Sequence, residues 1–204
     1  MVEEKQIMKA KDYFEENAAA YDAKRERGFL GWLRKNEKSA VLSFLDIKKG
    51  ESMLDAGCGE GYYAQLAKSK GAKVFGIDVS KEMIAKLQAK GIQGKACDLE
   101  NCSLGKKFDK IVCAGVLEFT ANPRNVVGML AKHLKSKGRI VILYSRPSPG
   151  TIVYVSIHRL HGLRLKIISR KKLQNLLKRA GLTITRHRKL PLFGGVALVE
   201  HESQ

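Results

Sequence analysis

The chain has 204 residues, 44% hydrophobic and 28% charged, an ordinary globular mixture with room for one sizeable core. No apolar run is long enough to span a bilayer, and the charged opening stretch MVEEKQIMKAKDYFEEN lacks the apolar centre of a signal peptide, so a cytoplasmic protein is expected. The net charge of +18 is lopsided, +2 over residues 1–100 and +16 over residues 101–204, which suits either an anionic partner (nucleic acid, a membrane surface, an acidic substrate) or a merely solvated basic surface.

Residues 8–46 read as helices, and in GWLRKNEKSAVLSFLDI the side chains Leu33, Ala40, Val41, Phe44 and Leu45 share a face. Short apolar runs follow at SMLDAG (52–57), KVFGID (73–78), a weaker QGKACDL (93–99), DKIVCAG (109–115) and GRIVILY (138–144). Between them YYAQLAKSK, KEMIAKLQAK and RNVVGMLAKHLKSK carry apolar residues at helical spacing. Ser80 is placed to cap the second of these helices, and Gly71 and Gly91 stand where helices stop. Strand–helix alternation predicts a parallel sheet with helices on both faces, and a ligand at the carboxyl ends of the strands where their order reverses.

Residues 145–168, SRPSPGTIVYVSIHRLHGLRLKII, break the alternation with Pro147, Pro149 and Gly150. Here Val153, Val155 and Ile157 alternate with Tyr154, Ser156 and His158, and Leu163, Leu165 and Ile167 alternate with Arg164 and Lys166. So long a connection predicts a functional lid, or else an extra hairpin or helix that fills out the core. In SRKKLQNLLKRAGL, Ser169 caps a helix with Leu173, Leu176, Leu177 and Ala180 on its buried stripe, and Gly181 ends it. Arg170, Lys171 and Lys172 in its first turn oppose the helix dipole. LTITRHRKL and GGVALVEH are two strands close enough to pair antiparallel. One domain over 1–204 is expected, with a helical cap (1–50), a ligand-binding core (51–144), the insertion (145–168) and a terminal helix and hairpin (169–204). Cys58, Cys97, Cys102 and Cys113 follow no metal-ligand spacing and are expected as free thiols packed as small hydrophobes, with no metal site.

In MLDAGCGEGYY (53–63), Gly57, Gly59 and Gly61 bare the backbone behind a strand, so that a ligand can approach closely. A phosphate-cradling loop would need Gly-Lys-Ser/Thr, where this chain has Gly61-Tyr62-Tyr63, and a dinucleotide loop would need a third glycine where Tyr62 stands. Asp55 would repel a pyrophosphate and suits a cationic ligand. Asp78, ending the second strand, is placed for both hydroxyls of a ribose, and Asp98, after the third, for an adenine amine. Together they ask for an adenosine without phosphate and with a cationic tail.

This constellation, LDAGCGEGYYA with GIDVS and ACDLE, resembles the class I S-adenosylmethionine-dependent methyltransferases over residues 50–200. The run AGVLEFTANPRNVVGMLAKHLKSKGRIVIL is similar to the small-molecule branch that includes quinone- and porphyrin-pathway enzymes, although Phe119 follows Glu118 where many of those have histidine. The resemblance implies a Rossmann-like, doubly wound, seven-stranded, mostly parallel sheet with a C-terminal antiparallel hairpin. It implies S-adenosylmethionine as donor and S-adenosylhomocysteine as product. Gly57, Cys58, Gly59 and Gly61 would line the methionine moiety, and Asp55 would act on its ammonium. Asp78 would hold the ribose and Asp98 the adenine amine. Val79, Met83 and Leu99 would sandwich the ring, and Ala114 and Gly115 would border the sulfonium.

Proton-transfer candidates outside that set are Tyr21, Glu118, Tyr144, His158 and His161, each also readable as an ordinary packing or surface residue. There is no Asn/Asp-Pro-Pro-aromatic run, which marks amine and amide methylation, and no Pro-Cys nucleophile. The expected acceptor is a small molecule, apolar and anionic, met in solution or at an anionic membrane surface. The alternative is transfer or ribosomal RNA held by the basic half, for which an appended binding module or interleaved exposed aromatics would be expected.

Overall fold

The computed structural model describes residues 28–160, 162 and 165–202. Helix α1 (Gly28–Leu45) is followed by β1 (Ser52–Ala56), α2 (Tyr62–Ser69), β2 (Lys73–Asp78), α3 (Lys81–Ala89), β3 (Gln93–Ala96) and β4 (Phe108–Ala114). Then come α4 (Pro123–Lys132), β5 (Leu134–Ser145), α5 (Pro149–Leu160), α6 (Arg170–Lys178), β6 (Leu182–Lys189) and β7 (Gly194–His201). The strands form one seven-stranded sheet in the order β3-β2-β1-β4-β5-β7-β6. All its pairs are parallel except β5–β7 and β6–β7. The order reverses between β1 and β4, which places a crevice at their carboxyl ends.

The two-residue period of the strands sorts the core into layers. Met53, Val112, Val141, Val196 and Leu198 face α1, whose Ala40, Val41, Phe44 and Leu45 cover them. Their neighbours Leu54, Ile111, Ile140, Ile142 and Val199 point the other way, against Val126, Val127 and Leu130 of α4 and Leu173 and Leu177 of α6. The doubly wound architecture expected from the alternation is therefore present, C-terminal hairpin included. Helix starts follow local chemistry: Ser80, Asn122 and Ser169 accept from the backbone N–H of Met83, Arg124 and Lys172.

Two readings of the sequence need correction, and one open alternative is decided. The run RNVVGMLAKHLKSK is not one helix. It ends at Lys132, and β5 begins at Leu134, whose buried side chain joins the core opposite Phe108. His133 makes this sharp change possible. Its ring is 2% exposed, with Nδ1 on Met129 O and Nε2 accepting from Leu104 N–H, so it is a structural fastener rather than a residue of an outer helix.

Of the alternatives left open for the insertion, residues 151–158 take the helical one and lie in α5. Pro149 opens the helix, Ser148 Oγ accepts from Thr151 N–H, and the buried pair Thr151 and His158 stands two turns apart. Residues 165–169 are irregular, and of the expected second alternation Leu163 and Arg164 lie outside the described residues. Nor are all four cysteines free. Cys97 and Cys102, with Cα atoms 5.8 Å apart and within bridging range, form a disulfide, while Cys58 and Cys113 are free and buried. The turn between β3 and Leu104 brings the two thiols together, and linear spacing carried no sign of that turn.

Candidate functional site

The loop after β1 is held in place before any ligand is considered. Gly57 N–H and Cys58 N–H both donate to Ile77 O at the end of β2. Gly57 has φ +75°, and a Cβ there would lie 2.3 Å from Val116 Cγ2, so the loops after β1 and β4 meet too closely for any side chain. Gly61 has φ +81° and starts α2; a Cβ there would lie 2.3 Å from Leu87 Cδ1 on α3.

Three carboxylates surround this loop. Asp55, 2% exposed, accepts at 3.0 Å from Ala64 N–H in the first turn of α2, so a residue of β1 caps the helix that the glycine leaves without a side-chain cap. Burial drives the Asp55 pKa up to about 7, Asp78 adds to the rise, and the Ala64 bond opposes it. A carboxyl so placed gains from any cation that settles beside it. Asp78 accepts from Gly59 N–H at 2.8 Å and from Ser80 N–H at 3.0 Å, which ties the glycine loop to the end of β2. Asp98 accepts from Glu100 N–H at 3.0 Å, within the short loop that the Cys97–Cys102 bridge closes.

These groups border a cavity of about 780 Å³ at the switch point, within the range of small-molecule sites. Every residue predicted for the donor site borders it except Gly61, which stands behind the loop and sets its path. One wall is thus backbone and carboxylate, and a Cβ at Gly57 would strike the neighbouring loop. Such a cradle, with three acids and no cation among its predicted donor residues, fits an adenosine with a cationic tail.

The far end of the cavity differs. It is bounded by Phe119, Tyr144, Val153, Tyr154, Ile157 and Phe193. Phe193 stacks on Tyr154 with ring centres 4.5 Å apart. Glu118 and His158 also border this end and are 3% and 2% exposed. Glu118 Oε1 accepts from Ser145 N–H at 2.7 Å and from Ser145 Oγ at 2.8 Å, while Oε2 has no partner among the described residues. Burial outweighs those bonds and raises its pKa. His158 Nδ1 lies 2.9 Å from Tyr154 O, to which it donates. Tyr144 Oη is already engaged with His187 Nε2 at 3.0 Å. Tyr21 and His161 lie outside the described residues.

Some contributors carried no motif. Glu100 joins the two ends, its carboxylate accepting from Ala121 N–H at 2.6 Å and Asn122 N–H at 3.0 Å across the loop after β4. Lys166 closes the same loop from the other side, its N–H on Glu118 O and its ammonium on Ala121 O. From α1, Leu33, Arg34, Glu37 and Lys38 border the mouth, with the Lys38 ammonium 3.8 Å over the Tyr62 ring. The adjacent Tyr62 and Tyr63 after Gly61 were the one legible signal, since a large aromatic pair beside a ligand loop is available to wall it.

Comparison with known proteins gives a consistent result. Residues 23–187 match a family model described as a methyltransferase domain. The demethylmenaquinone methyltransferase of Tropheryma whipplei (strain Twist) is 33% identical over 141 residues, 66% of this chain and 58% of that protein. The ribosomal protein L11 methyltransferase of Chromobacterium violaceum is 37% identical over 108 residues, 50% of this chain and 35% of that protein. The chain thus spans about half the length or less of these curated relatives. Among solved structures, magnesium protoporphyrin IX methyltransferase from Synechocystis PCC 6803 with bound S-adenosylhomocysteine superposes with a TM-score of 0.76. It is 21% identical, with 97% of this chain and 100% of that one covered, and at that identity the likeness is one of fold.

Proposed function

Because the chain belongs to the methyltransferase-domain family, we propose that it transfers the methyl group of S-adenosylmethionine to a small, apolar, anionic acceptor. The observation that carries the donor half is the glycine loop locked against Val116 and ringed by Asp55, Asp78 and Asp98 around one cavity. In this reading Asp78 takes the ribose hydroxyls, Asp98 the adenine amine, and Val79, Met83 and Leu99 enclose the ring. Asp55 faces the methionine ammonium while one of its oxygens keeps the α2 cap. Ala114 and Gly115 leave room at the sulfonium.

When bound, the donor supplies an electrophilic methyl on a sulfonium. The chain's own task is then to exclude water and to align a nucleophile with that methyl. The apolar end of the cavity serves the first purpose. Phe119, Tyr154 and Phe193, with the Ser145–Glu118 pair behind them, give the acceptor a defined wall. An acceptor that arrives ionised needs no general base, so the engagement of Glu118 and Tyr144 in structural bonds is no obstacle. The small-molecule reading is supported by the size and apolar walls of this end and by the likeness to a quinone-precursor methyltransferase. RNA remains the competing acceptor on charge alone.

The test is transfer of labelled methyl from S-adenosylmethionine to total RNA and, separately, to a small-molecule extract. Label in an organic-extractable small molecule is the expected result, and robust label in RNA alone would overturn it.

A further inference from the structure

Helix α5 has its apolar side outward. Its buried residues are Thr151 and His158, anchored by Thr151 Oγ1 on Arg146 O and by the Tyr154–Phe193 stack. The opposite arc presents Ile152, Val153, Ile157 and Leu160, which are 70%, 62%, 49% and 87% exposed. Leu192, 43% exposed, stands beside the start of the helix: a Cβ on Gly150 would lie 3.4 Å from Leu192 Cβ. The Arg146 guanidinium holds that turn in place by donating to the carbonyls of Leu190, Leu192 and Gly194. The apolar ridge is therefore presented by a fixed scaffold.

Two features say what covers it. The first is charge. From Phe119 to Val199 the chain has 17 Lys and Arg and no Asp or Glu. Arg159 lies on the exposed arc itself, and Lys189 is exposed just before the turn that carries Leu192. The second is continuity with the cavity: Val153, Ile157 and Leu192 line it as well as forming the ridge. We propose that α5 and Leu192 form a docking surface for an anionic phospholipid bilayer, with the aliphatic ridge among the headgroups and the cavity mouth at the lipid surface. Aliphatic side chains gain from entering the acyl boundary and have no ring to stack on a base, which favours a bilayer over nucleic acid. Among the described residues no helix is long and apolar enough to cross a membrane, so the contact is peripheral. Docking would let an apolar acceptor pass from lipid to cavity without crossing water. That benefit rests on the acceptor reading above, whereas the docking surface itself rests on the ridge and its charge.

The experiment is co-flotation of the full chain with phosphatidylcholine vesicles, with and without phosphatidylglycerol, at low and high salt. The double variant Ile152→Ser/Leu160→Ser changes the ridge without touching the cavity lining, and Arg159→Glu changes its charge. The parent should float with the anionic vesicles and release in high salt. The double variant should lose at least about tenfold in partitioning, and Arg159→Glu should lose its preference for anionic lipid. The thermal shift with S-adenosylhomocysteine, read on the same samples, should be unchanged in both variants. Equal flotation of parent and double variant, no flotation of the parent, RNA binding without vesicle binding, or a dimer that the double variant dissociates would each overturn the docking. Absence of the thermal shift in the parent would instead strike the donor reading and leave the docking standing or falling on its own result.

Discussion

The two ends of the cavity are built from different materials. At the β1–β2–β3 end, carboxylates fasten backbone to backbone: Asp55 to Ala64, Asp78 to Gly59 and Ser80, Glu100 to Ala121 and Asn122. At the α5 end the wall is aliphatic and aromatic, and its two acidic and imidazole groups, Glu118 and His158, are buried. Polar groups fixed by the backbone specify a ligand atom by atom, because each leaves a donor or acceptor in a set position. Apolar walls specify size and little else. In the proposed reading the carboxylate end therefore specifies its ligand and the apolar end does not.

The largest expected effect falls on the donor end. Asp78→Ala removes a carboxylate that also holds Gly59, and should weaken S-adenosylhomocysteine binding by about 1–3 kcal/mol, roughly 5- to 150-fold, in a calorimetric titration. Unchanged affinity would remove the distinction between the two ends.

Asp55 gives the comparison a pH axis. Its pKa is raised by burial to about 7 from an ordinary 3.8, so the unliganded fold favours the protonated form. That stabilising contribution is fully present below about pH 4 and is lost as the pH rises through about 7. A ligand cation prefers the ionised form, so affinity should climb as the pH rises toward about 7, by up to about tenfold per unit, and then level off. Asp55→Asn should flatten that rise, and an equally steep profile in the variant would count against a cation beside Asp55.

At the other end, Phe193→Ala should leave S-adenosylhomocysteine affinity within about twofold. It should raise the KM of the acceptor identified by labelled-methyl transfer about tenfold, from lost aromatic burial. A larger change in donor affinity than in acceptor KM would show that the ends are not separable.

The smallest expected effect lies outside the cavity. Lys172→Glu, at the third position of α6 after the Ser169 cap, should stabilise the protein by about 0.3–1 kcal/mol through a capping box and a better-matched dipole, read as a modest rise in Tm.

The same difference explains what could be read from sequence. The sheet was legible because short apolar runs alternate with stretches whose apolar residues recur at helical spacing; the structure then sorts Met53 from Leu54 and Val112 from Ile111 into opposite layers. The grouping of the glycine loop with acids at strand ends was legible from their spacing, and Gly57, Gly59, Asp55, Asp78 and Asp98 do border one cavity. Gly61 shows the limit of that reading: its bareness serves Leu87 rather than the cavity. The α5 end was only half legible, because an alternating stretch of β-branched residues left hairpin and helix both open, and Pro149 and the burial of His158 make it a helix. Glu100, the His133–Leu104 bond and the Cys97–Cys102 bridge join residues 5 to 29 positions apart through turns of irregular path, so no local period revealed them.

The most direct test of the donor site is titration of the purified chain with S-adenosylhomocysteine at neutral pH, with Asp78→Ala alongside. Saturable one-to-one binding that raises the parent's Tm, weakened in the variant, is the predicted result. No binding and no shift in Tm at saturating ligand, from a folded parent, would contradict it.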